Sequence, residues 1–238
     1  MGLSDYTTLS RQRGLAREMQ MIANNIANAA TTGYRQQGVM FSEYIQRTDA
    51  PGGSVSMSMA EVKNTSFEQG GMTRTGGQYD FAIEGEGFFL VGAPGGERLT
   101  RAGAFVVGPQ GDMMTQDGYT VLDAGGAPVF VPPDATDLAV GQDGTLSSNG
   151  QPIGQLGVVQ PINPGAMVRE GGVLFRADEG YEPAENPRVM QGFVENSNVD
   201  SILQVARMIE VQRAYEMGQN FLQREDERVR AAIKAFVK

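Results

Sequence analysis

Glu84 and Glu86 stand two residues apart in Ala82-Ile83-Glu84-Gly85-Glu86-Gly87. Paired carboxylates are what a glycosidase needs, one to protonate a leaving group and one to act as base or nucleophile. On a strand, residues two apart share a face, so the spacing places both acids on one side. Glycines flank Glu86 and no group that would tune either carboxylate is visible, so the segment reads as solvated charge in a turn-rich strand. Calcium fares no better: Asp143-Gly144-Thr145-Leu146-Ser147 lacks the alternating carboxylates and bidentate Glu of an EF-hand loop. Gly85, Gly87, Gly125 and Gly126 form no GxGxxG opening onto a helix, which leaves nucleotide binding without support. Cysteine and histidine are absent, and with them go disulfides, thiolate nucleophiles, imidazole bases and the usual zinc ligands. No cofactor, metal or catalytic residue is predicted, and the chain reads as something other than an enzyme.

The elements that carry these residues sort by charge and by proline. The 238 residues carry a net charge of −9, which argues against a nucleic-acid partner because phosphate binding needs a basic surface. The first 38 residues are net +2 and residues 195–238 net zero, which leaves eleven net negative charges to the middle. Every proline lies between Pro51 and Pro187. Two helical arms around an acidic, Pro/Gly-rich insert are therefore expected. No apolar run is long enough to span a membrane, and residues 1–10 lack the basic start and apolar core of a secretory signal.

Leu15, Met19, Ile22, Ile26 and Ala29 recur at steps of four and three, the pattern of an amphipathic helix. Ala23 and Ala27 would let another backbone approach, while Asn24, Asn25 and Asn28 cost helix stability unless their amides find partners. Thr31-Thr32-Gly33 reads as the helix stop, with Gly33 as a left-handed cap. Val199 to Phe236 reads as one long helix, roughly 55–60 Å if straight. Its seam runs through Val205, Met208, Tyr215, Leu222, Val229, Ile233 and Phe236, with Gln212, Gln219 and Asp226 as polar members. A second face, Val211, Ala214, Gly218 and Phe221, runs alongside, giving more apolar surface than one antiparallel neighbour covers.

Between the arms, residues 36–78 read as an extended linker with a half-buried strand-like piece at Val55–Met59. Beyond it, short apolar alternations recur at residues 88–91, 105–107, 119–122, 129–131, 138–140 and 156–159. Pro109-Gln110-Gly111, Gln116-Asp117-Gly118 and Gln142-Asp143-Gly144 read as hairpin turns. The predicted class is α+β: N- and C-terminal helices paired as a coiled-coil-like arm, with an inserted all-β domain of short antiparallel strands. The domain bounds are 1–35 for the first arm, 36–78 for the linker, 79–190 for the acidic β-rich domain and 191–238 for the second arm.

Three stretches carry a resemblance: Ile22-Ala23-Asn24-Asn25-Ile26-Ala27-Asn28-Ala29-Ala30-Thr31-Thr32-Gly33-Tyr34, then Tyr79 to Phe89, then Gly192 to Asp200 followed by Met208 to Glu216. Together they resemble the bacterial flagellar axial proteins, which build the rod and hook, and within that family the proximal rod type. The chain is too short for a hook protein and lacks the tryptophan that distal rod proteins tend to show. The resemblance implies a structural rod subunit that polymerises through its terminal helices and transmits torque for motility. Its partners would be itself, other rod subunits and the flagellar type III export apparatus, and its place the basal body, in the rod crossing the periplasm. Alternatives are a distal rod or other axial protein of the same family, or a secreted β-domain that binds or acts on peptidoglycan. The subunit interface is expected at Leu15, Met19, Ile22, Ala23, Asn24, Asn25, Ile26, Ala27, Asn28, Gly33 and Tyr34, and at Val205, Met208, Val211, Tyr215, Leu222 and Val229.

Overall fold

The computed structural model describes residues 3–47, 54–135 and 137–236. In chain order its elements are α1 (Leu3–Ala27), β1 (Gln37–Arg47), β2 (Ser54–Thr65), β3 (Met72–Arg74), β4 (Phe81–Ile83), β5 (Phe88–Ala93), β6 (Gly96–Thr100), β7 (Phe105–Val107), β8 (Met113–Thr115), β9 (Thr120–Val121), β10 (Leu138–Val140), β11 (Thr145–Ser148), β12 (Gln151–Gln155), β13 (Val158–Pro161), β14 (Val168–Arg169), β15 (Leu174–Arg176), β16 (Tyr181–Pro183), β17 (Val189–Gln191), β18 (Phe193–Glu195) and α2 (Ser201–Phe236). The class is α+β, and the pairings between these strands are antiparallel.

The chain divides into two compact units. Unit 1 comprises residues 1–27, 36–66 and 200–238, and unit 2 comprises residues 28–35 and 67–199.

In unit 1, α1 and α2 pack together and α1 also meets the hairpin of β1 and β2. Most of the stretch expected as an extended linker is this hairpin, paired from Gln37↔Thr65 to Arg47↔Ser54 with one register shift at Met40/Phe41. Val55–Met59 lies on β2; whether it is half-buried, like the setting of Phe236, lies outside the described side chains. Helix α2 starts where Asp200 caps it: Oδ1 accepts from the N–H groups of Ile202 and Leu203 at 2.9 and 3.1 Å.

In unit 2, one large sheet runs β14-β15-β6-β5-β9-β8-β7, with β13 bridging β5 and β16. A three-stranded sheet β10-β11-β12 and the pairs β17-β4 and β18-β3 complete it. Strand β5 holds the interior together because Phe88, Phe89, Leu90 and Val91 are all buried. Alternation sends Phe89 and Val91 into one core, with Phe81, Phe105, Met113 and Leu146, and Phe88 and Leu90 into another, with Leu99, Val159 and Phe175. The three expected hairpin turns join β7 to β8, β8 to β9 and β10 to β11. In each, the glycine supplies the positive φ, 91° at Gly111, 86° at Gly118 and 84° at Gly144. Residues 129–131, expected as a strand, contribute a single bridge, Asp112↔Phe130.

Candidate assembly surface and the buried arginine cluster

The N-terminal signature builds its contacts inside unit 1 first. Asn25, 1 % exposed, presents its amide to strand β1 as if it were a peptide group. Its Nδ2 donates to the Gln37 carbonyl at 2.7 Å and its Oδ1 accepts from the Gln37 N–H at 3.0 Å. The same Nδ2 donates to Gln204 Oε1 of α2 at 3.2 Å. The helix cost of this asparagine is thus offset by satisfying a buried strand end. Asn24, Ala23 and Ala27 are exposed on α1, and Asn28 and Ile26 are half-buried.

The inward stripe of α2 is Gln204, Met208, Val211, Tyr215, Gly218, Leu222 and Glu225, all buried or half-buried. It draws alternately on both faces expected from the sequence, taking Met208, Tyr215 and Leu222 from one and Val211 and Gly218 from the other. Either stripe satisfies a stepping of four and three; the one turned inward replaces Gln212 and Gln219, which stay exposed, by Val211 and Gly218. Gly218 admits Gln12, whose Nε2 donates to the Tyr215 carbonyl at 2.9 Å. A Cβ at Gly218 would lie 1.9 Å from that nitrogen. On α1 the matching stripe runs through Gln12, Leu15, Met19, Ile22 and Ile26, flanked by buried Met21 and by Glu18, which pairs with Arg207 at 2.8 Å.

The consequence is an apolar face left bare on α2. Ile202 is 82 % exposed, and Leu203, Val205, Ile209, Met217 and Phe221 are exposed with it, while exposed Val229 and Ile233 follow Glu225 at steps of four and continue the inward stripe. Of the residues expected at an interface, Ile22, Asn25 and Val211 are buried within unit 1, while Val205 lies on this bare face and Val229 is exposed on the continuation of the inward stripe.

Gly33 and Tyr34 fall in unit 2, both buried there. Gly33 has the left-handed φ of 69° expected of a cap. It lies six residues beyond the end of α1, however, where its N–H donates to the Glu195 carbonyl at 2.8 Å. A Cβ there would meet the backbone nitrogen of Ala102 at 2.2 Å, so glycine is required by close approach as well as by φ. Next in the chain, Arg35 pairs with Glu195 at 2.6 Å, each side chain 1 % exposed. The second carboxylate oxygen of Glu195 lies 3.2 Å from Arg101 Nε without hydrogen-bond geometry, and Oε1 accepts from the Gly70 N–H at 3.0 Å. Arg35 also donates to the Glu68 carbonyl, which accepts in addition from Asn198 Nδ2 at 2.8 Å. A third guanidinium, Arg169, lies 4.6 Å from the centres of the Tyr34 and Phe175 rings and donates to the Arg35 carbonyl.

This cluster ties residues 33–35, 68–70 and 195–198 to one another, three passages of chain close to where it enters or leaves unit 2. Burial holds the Arg35, Arg101 and Arg169 guanidiniums below their usual range, Arg101 at about 10, against the pull of Glu195 on the first two. None of these arginines stands out in the sequence. The available signal was a charged residue inside an otherwise Gly- and aromatic-rich signature, as in Gly192-Phe193-Val194-Glu195.

Glu84 and Glu86 do not share a strand face. Strand β4 ends at Ile83, Gly85 turns the chain at φ 88°, and both acids are exposed, Glu84 pairing with Arg188 at 3.1 Å. Asp143 spends its carboxylate on its own turn, accepting from the N–H and hydroxyl of Thr145 at 3.0 and 2.7 Å, which lowers its pKa. Among the described residues no group of three or more His, Cys, Asp or Glu could hold a metal ion, and no helix is long and apolar enough to cross a membrane.

Family models match three parts of the chain: "Flagella basal body rod protein" at residues 6–35, "Flagellar hook protein FlgE/F/G D1 domain" at 82–148 and "Flagellar basal body rod FlgEFG protein C-terminal" at 190–235. They cover both helices and the start of the β-rich insert, and so define the class, the axial proteins of the flagellar rod and hook. The flagellar basal-body rod protein FlgF of Caulobacter vibrioides is 38% identical over 96% of this chain and 96% of its own length. FlgF of Mesorhizobium japonicum is 39% identical over 89% of this chain and 88% of its own, whereas the rod protein FlgG of Bacillus subtilis is 29% identical over 93% and 94%. The chain belongs to the flagellar basal-body rod proteins, of the FlgF type.

Proposed function

We propose that this chain is a structural subunit of the flagellar basal-body rod which polymerises through its terminal helices and passes torque along the rod. The bare apolar face of α2 carries this reading, since Ile202, Leu203, Val205 and Ile209 are exposed beside a stripe already closed on α1. Each such side chain gains about 1.5–3 kcal/mol when buried, so several taken together favour a helical polymer over a free monomer. In that polymer α1 and α2 form a coiled-coil-like arm against neighbouring subunits. The arginine cluster fits transmission of load, because it binds three chain passages near the borders of unit 2. The partners are other copies, further rod subunits and, during delivery, the flagellar type III export apparatus; the site of action is the rod where it crosses the periplasm. The role is structural rather than catalytic. The higher identity to FlgF than to FlgG proteins favours the proximal rod.

The test is Ile209→Asp, which puts a charge on the bare face without touching the stripe against α1. We expect an unchanged urea midpoint for the purified chain, and non-motile cells whose basal bodies lack the variant. Motile cells with normal incorporation would sink the reading.

A further inference from the structure

Unit 2 contains a cleft of about 320 Å³ lined by Arg35, Arg101, Phe67, Phe88, Gln69, Glu86, Pro161 and Pro164 among others. Its two guanidiniums belong to side chains only 1 % and 3 % exposed, and its walls are aromatic rings and prolines. Among the described residues these two cations share one carboxylate within ion-pair distance, that of Glu195, and Arg169 adds a third buried positive charge next to Arg35. Among the described residues the buried Nε atoms of Arg35 and Arg101 have no hydrogen-bond partner. Arg101 Nε faces a Glu195 oxygen at 3.2 Å outside hydrogen-bond geometry, while the terminal nitrogens of Arg101 donate to the Ile83 and Gly85 carbonyls. Unsatisfied charged donors are costly in an interior, and more so when like charges crowd them. Exposed Glu86 at the rim acts on Arg101 only through its field.

We propose that this cleft is a carboxylate-recognition site, filled on assembly by an acidic side chain of a second copy of this chain. A buried arginine floor grips a carboxylate, and the apolar walls accept the methylene stem and backbone behind it. A second copy is the fitting source because the chain carries net charge −9 and exposes acids such as Asp117, Asp134, Asp137 and Glu185 on the same unit. A cleft on one copy that takes a different surface of the next is a heterologous contact, the kind that propagates into an open helical polymer. The identity of the occupant rests on the rod reading; recognition of a carboxylate does not.

The experiment uses the purified full chain with 15N-labelled arginine. Titration with N-acetylglutamate α-amide, a single side-chain carboxylate, is followed at the arginine Nε–H resonances, with N-acetylglutamine amide as the neutral control. We expect saturable shifts at Arg35 and Arg101 with the acid and none with the amide. Arg101→Met should abolish them, but losing a buried cation can unfold the unit, so exposed Glu86→Gln is the decisive variant. Removing that competing rim charge should tighten binding about two- to fivefold. No saturable shift, equal shifts with the amide, or weaker binding in Glu86→Gln would overturn carboxylate recognition. Self-association by sedimentation velocity, with and without saturating acid, tests the occupant. Weaker association supports a second copy, whereas unchanged association despite binding overturns that assignment and leaves a small carboxylate as the ligand. Both measurements are independent of motility, so failure here is distinguishable from failure of the rod reading.

Discussion

Glu195 balances two deeply buried guanidiniums, so the charge balance of this cluster rests on a single side chain. Breaking a buried ion pair from one side leaves an uncompensated charge, which typically costs about 3–5 kcal/mol. Glu195→Gln should therefore lower the unfolding free energy of the full chain by about that amount, measured by urea denaturation. A loss below about 1 kcal/mol would place the pair among surface-like bridges. Tyr181 illustrates a milder coupling. Its hydroxyl donates to Glu97, and burial followed by that carboxylate raises its pKa from 10.0 to about 12. The folded phenol keeps its proton where an unfolded one has lost it, so its contribution is intact below pH 10 and lost as pH rises through about 12. Absorbance of phenolate should show a late-titrating tyrosine in the folded chain, absent in Tyr181→Phe.

At the scale of elements, the junction of α1, β1 and α2 rests on one amide. Asn25 satisfies both backbone groups of Gln37 and touches Gln204, joining three of the four elements of unit 1. Asn25→Ala leaves a buried donor and a buried acceptor unpaired, each worth about 1–3 kcal/mol. A net loss of about 2–4 kcal/mol is expected, seen as faster amide exchange in unit 1, while Asn24→Ala on the exposed side should change stability by less than about 0.5 kcal/mol. Equal effects of the two changes would show that the asparagines act only through helix propensity. The helical stepping was legible in Leu15, Met19, Ile22 and Ile26 and in Met208, Tyr215 and Leu222. Which of two adjacent stripes on α2 turns inward was not, because both obey the same period and packing separates them, through burial of Val211 and the fit of Gln12 against Gly218.

At the scale of the molecule, a chain with net charge −9 and isoelectric point near 4.6 must bring like-charged copies together to expose less of its apolar helix face. The repulsion acts over the Debye length, about 30 Å at 0.01 M salt and 8 Å at 0.15 M, so assembly of the purified chain should be faster at the higher salt, followed by light scattering. Slower assembly with added salt would mean that surface ion pairs, rather than apolar burial, drive association. The amino-acid sequence by itself determined the two helical arms, the Asp-Gly and Pro-x-Gly hairpin turns and the family, because period, turn chemistry and contiguous signatures are local properties of the chain. It also excluded thiol, imidazole and zinc-thiolate chemistry by composition. Tertiary structure alone decided that residues 37–65 largely fold as a hairpin against α1, that Asn25 works inside the chain, and that Arg35, Arg101 and Glu195 meet. Arg35 and Glu195 are 160 positions apart, and no periodicity links them. What joins them is long-range closure of the β-rich unit, whose cores bury the intervening strands and leave a floor of guanidiniums with one carboxylate to share.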